Sequence, residues 1–101
     1  MWDLVLYHRP RCPLCSEARF ALREFGRTHD IRVKEMDISQ DEGLWDQYRY
    51  EIPVLEAGGV VIARHHIGAK KLTALHRRWR DGQLHAKPDL TRPASPAFAP
   101  F

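Results

Sequence analysis

The segment HRPRCPLCSEARFAL, residues 8–22, joins two kinds of apolar pattern and holds both cysteines of the chain. The apolar run before it, residues 4–7, is too short for a helix and is typical of a buried strand. Behind the cysteines, apolar side chains recur at helical spacing, and this stripe consists of Leu14, Ala18, Ala21, Leu22 and Phe25. Pro13 suits the first helical position, and Gly26 suits a stop. The segment predicts a strand-to-helix turn with Cys12 at the helix start and Cys15 one turn further on.

The rest of the chain continues this alternation of strands and helices. Residues 31–38 have a strand pattern, and the S-x-x-E sequence from Ser39 to Glu42 predicts a capping box that starts a helix reaching about Arg49. Two apolar runs, residues 52–55 and 60–63, flank Gly58-Gly59 and predict a hairpin. A last helix follows and ends near residue 82. The order β-α-β-α-β-β-α predicts an α/β fold with a four-stranded mixed sheet and flanking helices.

The chain of 101 residues is the size of one domain. We expect residues 1–82 to form it. Periodicity is lost beyond that point, where prolines recur at positions 88, 93, 96 and 100. Residues 83–101 are therefore predicted to be a proline-rich flexible C-terminal tail.

Composition narrows the class of protein. The chain is 44% hydrophobic and 29% charged, as in ordinary globular proteins. It holds no apolar run of membrane-spanning length, and its first residues do not resemble an export signal. We expect a cytoplasmic protein without a membrane partner, and a monomer. In a reducing compartment, two cysteines indicate reactive or metal-binding thiols more than a permanent cross-link.

Charge is distributed unevenly along the chain. Residues 1–63 carry 8 basic and 11 acidic side chains, whereas residues 64–101 carry 8 basic and 2 acidic ones. The stretch 64–80 holds six cations and no acid, so one hypothesis is a binding module for nucleic acid or an acidic protein. Such a run is more often a solvated helix face, and no aromatic platform for single strands accompanies it. A nucleic-acid partner is therefore not expected.

The cysteine pair itself admits three interpretations: a redox couple, a metal site, or inert core thiols. Side chains three positions apart on a helix lie about 5 to 6 Å from each other, which permits a disulfide. The helix amino end stabilises a thiolate, and Arg9 and Arg11 add cations beside Cys12. A metal site normally needs four ligands, and the two cysteines with His8 supply three at best. The pattern favours a redox couple in which Cys12 attacks a disulfide and Cys15 resolves the product.

Several of these features together resemble the glutaredoxins, within the thioredoxin-like fold, over about residues 3–80. They are the Cys12-Pro13-Leu14-Cys15 motif after a first strand, Ile52-Pro53 before a third strand, the Gly58-Gly59 hairpin and the closing helix. The resemblance implies that Cys12 is the nucleophile and that Pro53 is a cis-proline facing the site. It also implies that the main chain of Ile52 is offered to an extended peptide.

The same resemblance implies a substrate and its binding residues. Glutathione is expected as co-substrate, with a disulfide-containing protein as the other partner, and no bound cofactor or metal. The binding residues would be Arg9, Arg11, Pro13, Ile52 and Pro53, with either arginine as a clamp for a glutathione carboxylate.

The sequence also departs from the glutaredoxin pattern. Glu51-Ile52-Pro53 stands where a Thr-Val-Pro segment is typical, and residues 64–70 lack the acid that helps to hold glutathione in that family. The alternatives are therefore a thioredoxin-type electron donor that does not use glutathione, and a thioredoxin-fold binding module with a basic helix.

Overall fold

A computed structural model describes residues 1–82, which form seven regular elements. The predicted tail, residues 83–101, lies outside the described residues. The strands and helices are β1 (Trp2–His8), α1 (Pro13–Phe25), β2 (Ile31–Asp37), α2 (Glu42–Tyr48), β3 (Val54–Ala57), β4 (Val60–Arg64) and α3 (Ala69–Arg80). The predicted order of elements is confirmed.

The four strands form one mixed sheet in the order β2-β1-β3-β4. β1 and β2 are parallel, while β3 is antiparallel to both β1 and β4. The chain therefore leaves β1, β2 and β4 at the same end of the sheet at which it enters β3. We call this the cysteine end; it comprises residues 8–12, 37–42, 49–53 and 64–71.

One face of the sheet packs on α1 and α3 and forms the larger core. Alternate residues of β1 point to this face because strand side chains alternate. The buried residues here are all apolar: Trp2, Leu4, Leu6, Ala18, Leu22, Phe25, Leu55, Ala57, Ala63, Ile67, Leu72 and Leu75. Burial of apolar surface at about 25 cal/mol per Å² makes this face the main source of stability.

The opposite face packs on α2 and is smaller. Its buried residues are Tyr7, Cys15, Ile38, Tyr48, Ile52 and Val54. The rings of Tyr7 and Tyr48 lie 4.8 Å apart between centroids. This face extends to the cysteine end, because Cys12 packs against the same cluster.

The start of α2 differs from the sequence prediction. Ile38 and Ser39 belong to a 3₁₀ turn, Ile38–Gln40, and Ser39 does not cap the helix. The capping residue is Asp41, whose carboxylate accepts a hydrogen bond from the Leu44 N–H at 3.0 Å. Asp37 holds the turn in the same way, by accepting from Ser39. Aspartates are as effective as serine at this position, so the S-x-x-E pattern alone could not select between them.

The hairpin between β3 and β4 is confirmed. Gly58 and Gly59 both have positive φ, 55° and 88°, as the two central residues of a type I′ turn require. No helix among residues 1–82 combines the length and the apolar character that crossing a membrane requires.

Candidate active site

Cys12 lies at the boundary between loop and helix. It is the N-cap of α1, with an extended backbone, and its Sγ accepts the Cys15 N–H at 3.2 Å. A thiolate accepts such a bond more strongly than a thiol, and the helix amino end adds a partial positive charge. The residue is only half-buried, which leaves part of its surface open to solvent.

Cys15 lies one turn further along the helix and is buried, with 2% of its surface exposed. The pKa of this thiol is raised to about 12, chiefly by burial and then by the hydrogen bond with Cys12, while a main-chain hydrogen bond from Arg9 acts in the opposite direction. Both cysteines are free thiols. Their different surroundings separate an accessible sulfur from a protected one.

The loop before the helix carries the predicted cations. Arg11 has a left-handed backbone, with φ 60°, and its side chain is exposed. Arg9 is half-buried, and its guanidinium reaches the Pro10 carbonyl at 3.5 Å. Pro13 is the first residue of α1, as predicted, and is exposed. All three residues therefore lie within three positions of Cys12 in the chain, and each is at least partly exposed to solvent.

The Ile52–Pro53 peptide bond is cis, in agreement with the resemblance. Pro53 is buried, and its carbonyl accepts a hydrogen bond from the His65 N–H at 2.9 Å. This bond connects the loop before β3, residues 49–53, to the loop after β4. His65 reaches this position with a left-handed backbone, φ 64°.

The main chain of Ile52 is less available than the sequence predicted. Its N–H donates to the Tyr48 carbonyl at 3.1 Å. Only the carbonyl side of Ile52 is therefore left for an extended substrate. The side chain is 8% exposed and packs in the cluster that contains both cysteines.

A buried carboxyl group on the same face was not foreseen. Glu56, in the central strand β3, is 1% exposed, and neither of its oxygens has a hydrogen-bond partner of good geometry in the described part of the chain. Burial raises its pKa to about 7, and the neighbouring Tyr7 hydroxyl opposes this rise. The pKa of Tyr7 is raised as well, by burial and then by Glu56. The available signal was a single acid within an otherwise apolar strand, residues 54–57.

Metal ligands do not converge in the described ranges of the chain. No group of three histidine, cysteine, aspartate or glutamate side chains lies close enough together there to hold an ion. His8 instead lies 3.7 Å from Glu35, which also pairs with Arg19 at 2.7 Å. The site thus offers a pair of thiols in unlike surroundings, beside a cis-proline.

Known proteins share this arrangement of elements. The family model described as glutaredoxin-like domain (DUF836) matches residues 3–78. An X-ray structure of structural-genomics target XcR50 from X. campestris is 29% identical, with a TM-score of 0.62, and the match covers 78% of this chain and 96% of that one.

Two further structures are similar. Protein Ne2328 from Nitrosomonas europaea, solved by NMR, is 25% identical with a TM-score of 0.62, over 73% of this chain and 89% of that one. Thioredoxin-2 of the malaria parasite is 16% identical with a TM-score of 0.60, over 77% and 82%, and shows the fold alone.

The family match spans all four strands except Trp2, both cysteines and most of α3. The structural neighbours share the mixed sheet and the flanking helices of a thioredoxin-like fold. The chain therefore belongs to the glutaredoxin-like domain (DUF836) family and has the thioredoxin-like fold.

Proposed function

We propose that the protein is a thiol-disulfide oxidoreductase that uses the Cys12-Pro13-Leu14-Cys15 dithiol to reduce protein or glutathione mixed disulfides. One observation carries this proposal: the half-buried Cys12 Sγ accepts the Cys15 N–H at the start of α1, while Cys15 lies protected one turn inside. An accessible sulfur with a protected partner in local reach is what a two-step exchange requires.

The exchange balances without a metal or nucleotide. The Cys12 thiolate attacks one sulfur of the substrate disulfide, the substrate S–S bond breaks, and the leaving thiolate takes up a proton. Cys15 then loses its proton and attacks the Cys12 sulfur of the mixed disulfide. The Cys12–Cys15 disulfide forms, the second substrate thiol leaves, and two electrons have passed to the substrate. A thiol reductant restores the dithiol by the same steps in reverse.

The surrounding residues have positioning and binding roles in this proposal. The Ile52 carbonyl and the buried Pro53 would align an extended substrate next to Cys12. Arg9, Arg11 and Pro13 would border it on the solvent side, where either guanidinium could meet a carboxylate.

Glutathione is the co-substrate that we propose, with a disulfide-containing protein as partner. A dithiol that must be free at the start of each cycle operates in a reducing compartment, so we further propose a cytoplasmic location. A monomer suffices for the reaction, because both sulfurs come from one helix.

Activity of the two cysteine variants tests the proposal. Cys12→Ser should lose all turnover of hydroxyethyl disulfide and of a glutathionylated peptide. Cys15→Ser should instead accumulate mixed disulfides with the substrate, seen by mass spectrometry. Circular dichroism of both variants controls for folding. Turnover by Cys12→Ser at the wild-type rate would contradict the proposal.

A second candidate is a thioredoxin-type donor that does not use glutathione. It is favoured by residues 64–68, the end of β4 and the loop after it, which carry two histidines and no acid. Incubating Cys15→Ser with glutathione disulfide separates the candidates. A glutathione adduct on Cys12 supports the first, and reduction of protein disulfides without any adduct supports the second.

A further inference from the structure

Charged side chains at the cysteine end are sorted by strand. At the end of β2 and just after it, the chain carries Asp37, Asp41 and Glu42. From the last residue of β4 to the first turn of α3 it carries Arg64, His65, His66, Lys70 and Lys71, and all five are exposed. These acids thus lie at one edge of the sheet and these bases at the other, with Arg9 and Arg11 between them beside Cys12.

The strand order separates the two groups. β2 and β4 are the two edges of the sheet, with β1 and β3 between them. Three strand spacings of about 4.8 Å place the edges about 14 Å apart. This exceeds the Debye length of about 8 Å at physiological salt, so each group acts on its own part of a substrate. Cys12 follows β1 and therefore lies between them.

Internal pairing does not cancel either group. Arg64 pairs with Glu51 at 2.7 Å, but Lys70 and Lys71 have no carboxylate partner within residues 1–82. On the other side, the hydrogen bonds from Ser39 lower the pKa of Asp37 and keep that carboxylate charged. The polarity of this end is therefore present at neutral pH.

The basic run of the sequence is not one continuous surface. Lys70 and Lys71 begin α3, whereas Arg77 and Arg78 lie two turns further along the same helix. Seven residues correspond to about 10 Å of helix and return to nearly the same side of it. The lysines belong to the cysteine end, whereas the arginines precede Trp79, which stacks on Trp2 at the opposite end of the sheet.

We propose that the substrates this site selects are polypeptide disulfides with acidic residues on one flank, and that this flank lies over β4 and the start of α3. The inference rests on the proposed function. An acidic flank in this orientation meets the lysines, while the reverse orientation places it against Asp37, Asp41 and Glu42. The charges thus select the substrate and also its direction across Cys12, chiefly through the rate of association.

Two peptide disulfides of equal length test this selection, one with two glutamates and one with two lysines on the same flank. At low ionic strength, wild-type kcat/KM should be about tenfold higher for the acidic peptide, and 0.5 M salt should largely remove the difference. The matched variants are Lys70→Glu/Lys71→Glu and Arg77→Glu/Arg78→Glu, which change the net charge equally on the same side of one helix.

The lysine pair variant should lower the ratio of kcat/KM for the acidic peptide to that for the basic peptide about fivefold or more. The arginine pair variant should keep this ratio within about twofold of the wild-type value. Weakening of the helix cannot mimic this result, because glutamate at a helix start is favourable and glutamate near its end is not. An equal fall in both variants would overturn the inference, since net charge alone would then explain it.

Glutathione disulfide is included as a further substrate in this test, because glutathione also carries carboxylates. If the lysine pair variant slows its reduction but leaves the peptide ratio unchanged, the lysines serve glutathione and the assignment to polypeptides is wrong. Hydroxyethyl disulfide, which is neutral, separates the two proposals. If the wild-type protein reduces hydroxyethyl disulfide but its kcat/KM ratio for the acidic and basic peptides is near one, this inference alone is overturned. If it does not reduce hydroxyethyl disulfide, the proposed function is overturned as well.

Discussion

The two faces of the sheet differ in composition, although the same strands build both. The face under α1 and α3 buries apolar side chains alone. The face under α2 buries a thiol, two tyrosines and the carboxyl group of Glu56. The first face supplies stability independently of the redox state of the cysteines, although a partly buried histidine, His76, packs against Trp2 and Phe25 at its edge, where burial lowers its pKa. The second holds ionisable groups whose burial opposes folding, and it is the face that the cysteines adjoin.

The largest expected effect is the difference in reactivity between the two sulfurs. With its pKa raised to about 12 from 9.0, Cys15 should carry about 10³-fold less thiolate than an ordinary cysteine at neutral pH. Iodoacetamide at pH 7.5 should therefore modify Cys12 and leave Cys15 intact, as read by peptide mass mapping. In urea both should react, which is the control. Equal rates in the native protein would contradict the separation.

A cavity in the apolar face should cost stability without altering the chemistry. Leu6 is fully buried under α1 and α3. Leu6→Ala should lower the free energy of unfolding by about 3 kcal/mol, measured by urea denaturation. Turnover per folded molecule should stay near the wild-type value. A loss below about 1 kcal/mol would show that this face is not the main core.

Glu56 should make the second face sensitive to pH. Its pKa is raised from 4.5 to about 7 in the folded state, so the native protein binds more protons than the unfolded chain between these values. The free energy of unfolding should then fall as pH rises through this window, by up to about 3 kcal/mol.

Glu56→Gln isolates this contribution. The variant should be more stable than wild type at pH 8, by up to the same amount, and no more stable at pH 4. Thermal or urea unfolding at both pH values measures it. Equal stability of variant and wild type at pH 8 would mean that the carboxyl group finds stabilising contacts.

The smallest effect concerns the helix that covers the second face. Asp41→Ala removes the cap of α2 and should cost about 1 kcal/mol. Ser39→Ala, at the residue that the sequence pattern selected, should cost less, because Ser39 donates to Asp37 and caps nothing. The reverse order in urea denaturation would restore Ser39 as the capping residue.

The sequence sufficed for the order of elements, the sheet, the hairpin and the positions of the cysteines. These features depend on local signals: the helical stripe from Leu14 to Phe25, Pro13 at a first helical position, and two glycines in a turn. The cis state of Pro53 came from the resemblance alone, because cis bonds are only about 5 to 6% of X-Pro bonds in folded proteins.

The missed features depend on contacts between distant parts of the chain. Whether Glu56 is buried depends on what covers β3, and its periodicity does not reveal this. The Ile52 N–H is not available to a substrate because it donates to the Tyr48 carbonyl, and this contact depends on how the end of α2 packs against residues 49–53. The division of the basic run into two ends likewise required the direction of α3 relative to the sheet.

The positions of the three tryptophans allow the two faces of the sheet to be followed separately by fluorescence. Trp2 and Trp79 stack with centroids 5.7 Å apart on the α1 and α3 face, whereas Trp45 packs on the cluster that holds both cysteines. In a variant that retains only Trp45, the fluorescence intensity would change as the cysteine pair is oxidised or reduced. In a second variant that retains only Trp2 and Trp79, the emission would change when the main core unfolds, so the two variants together would follow catalysis and unfolding separately.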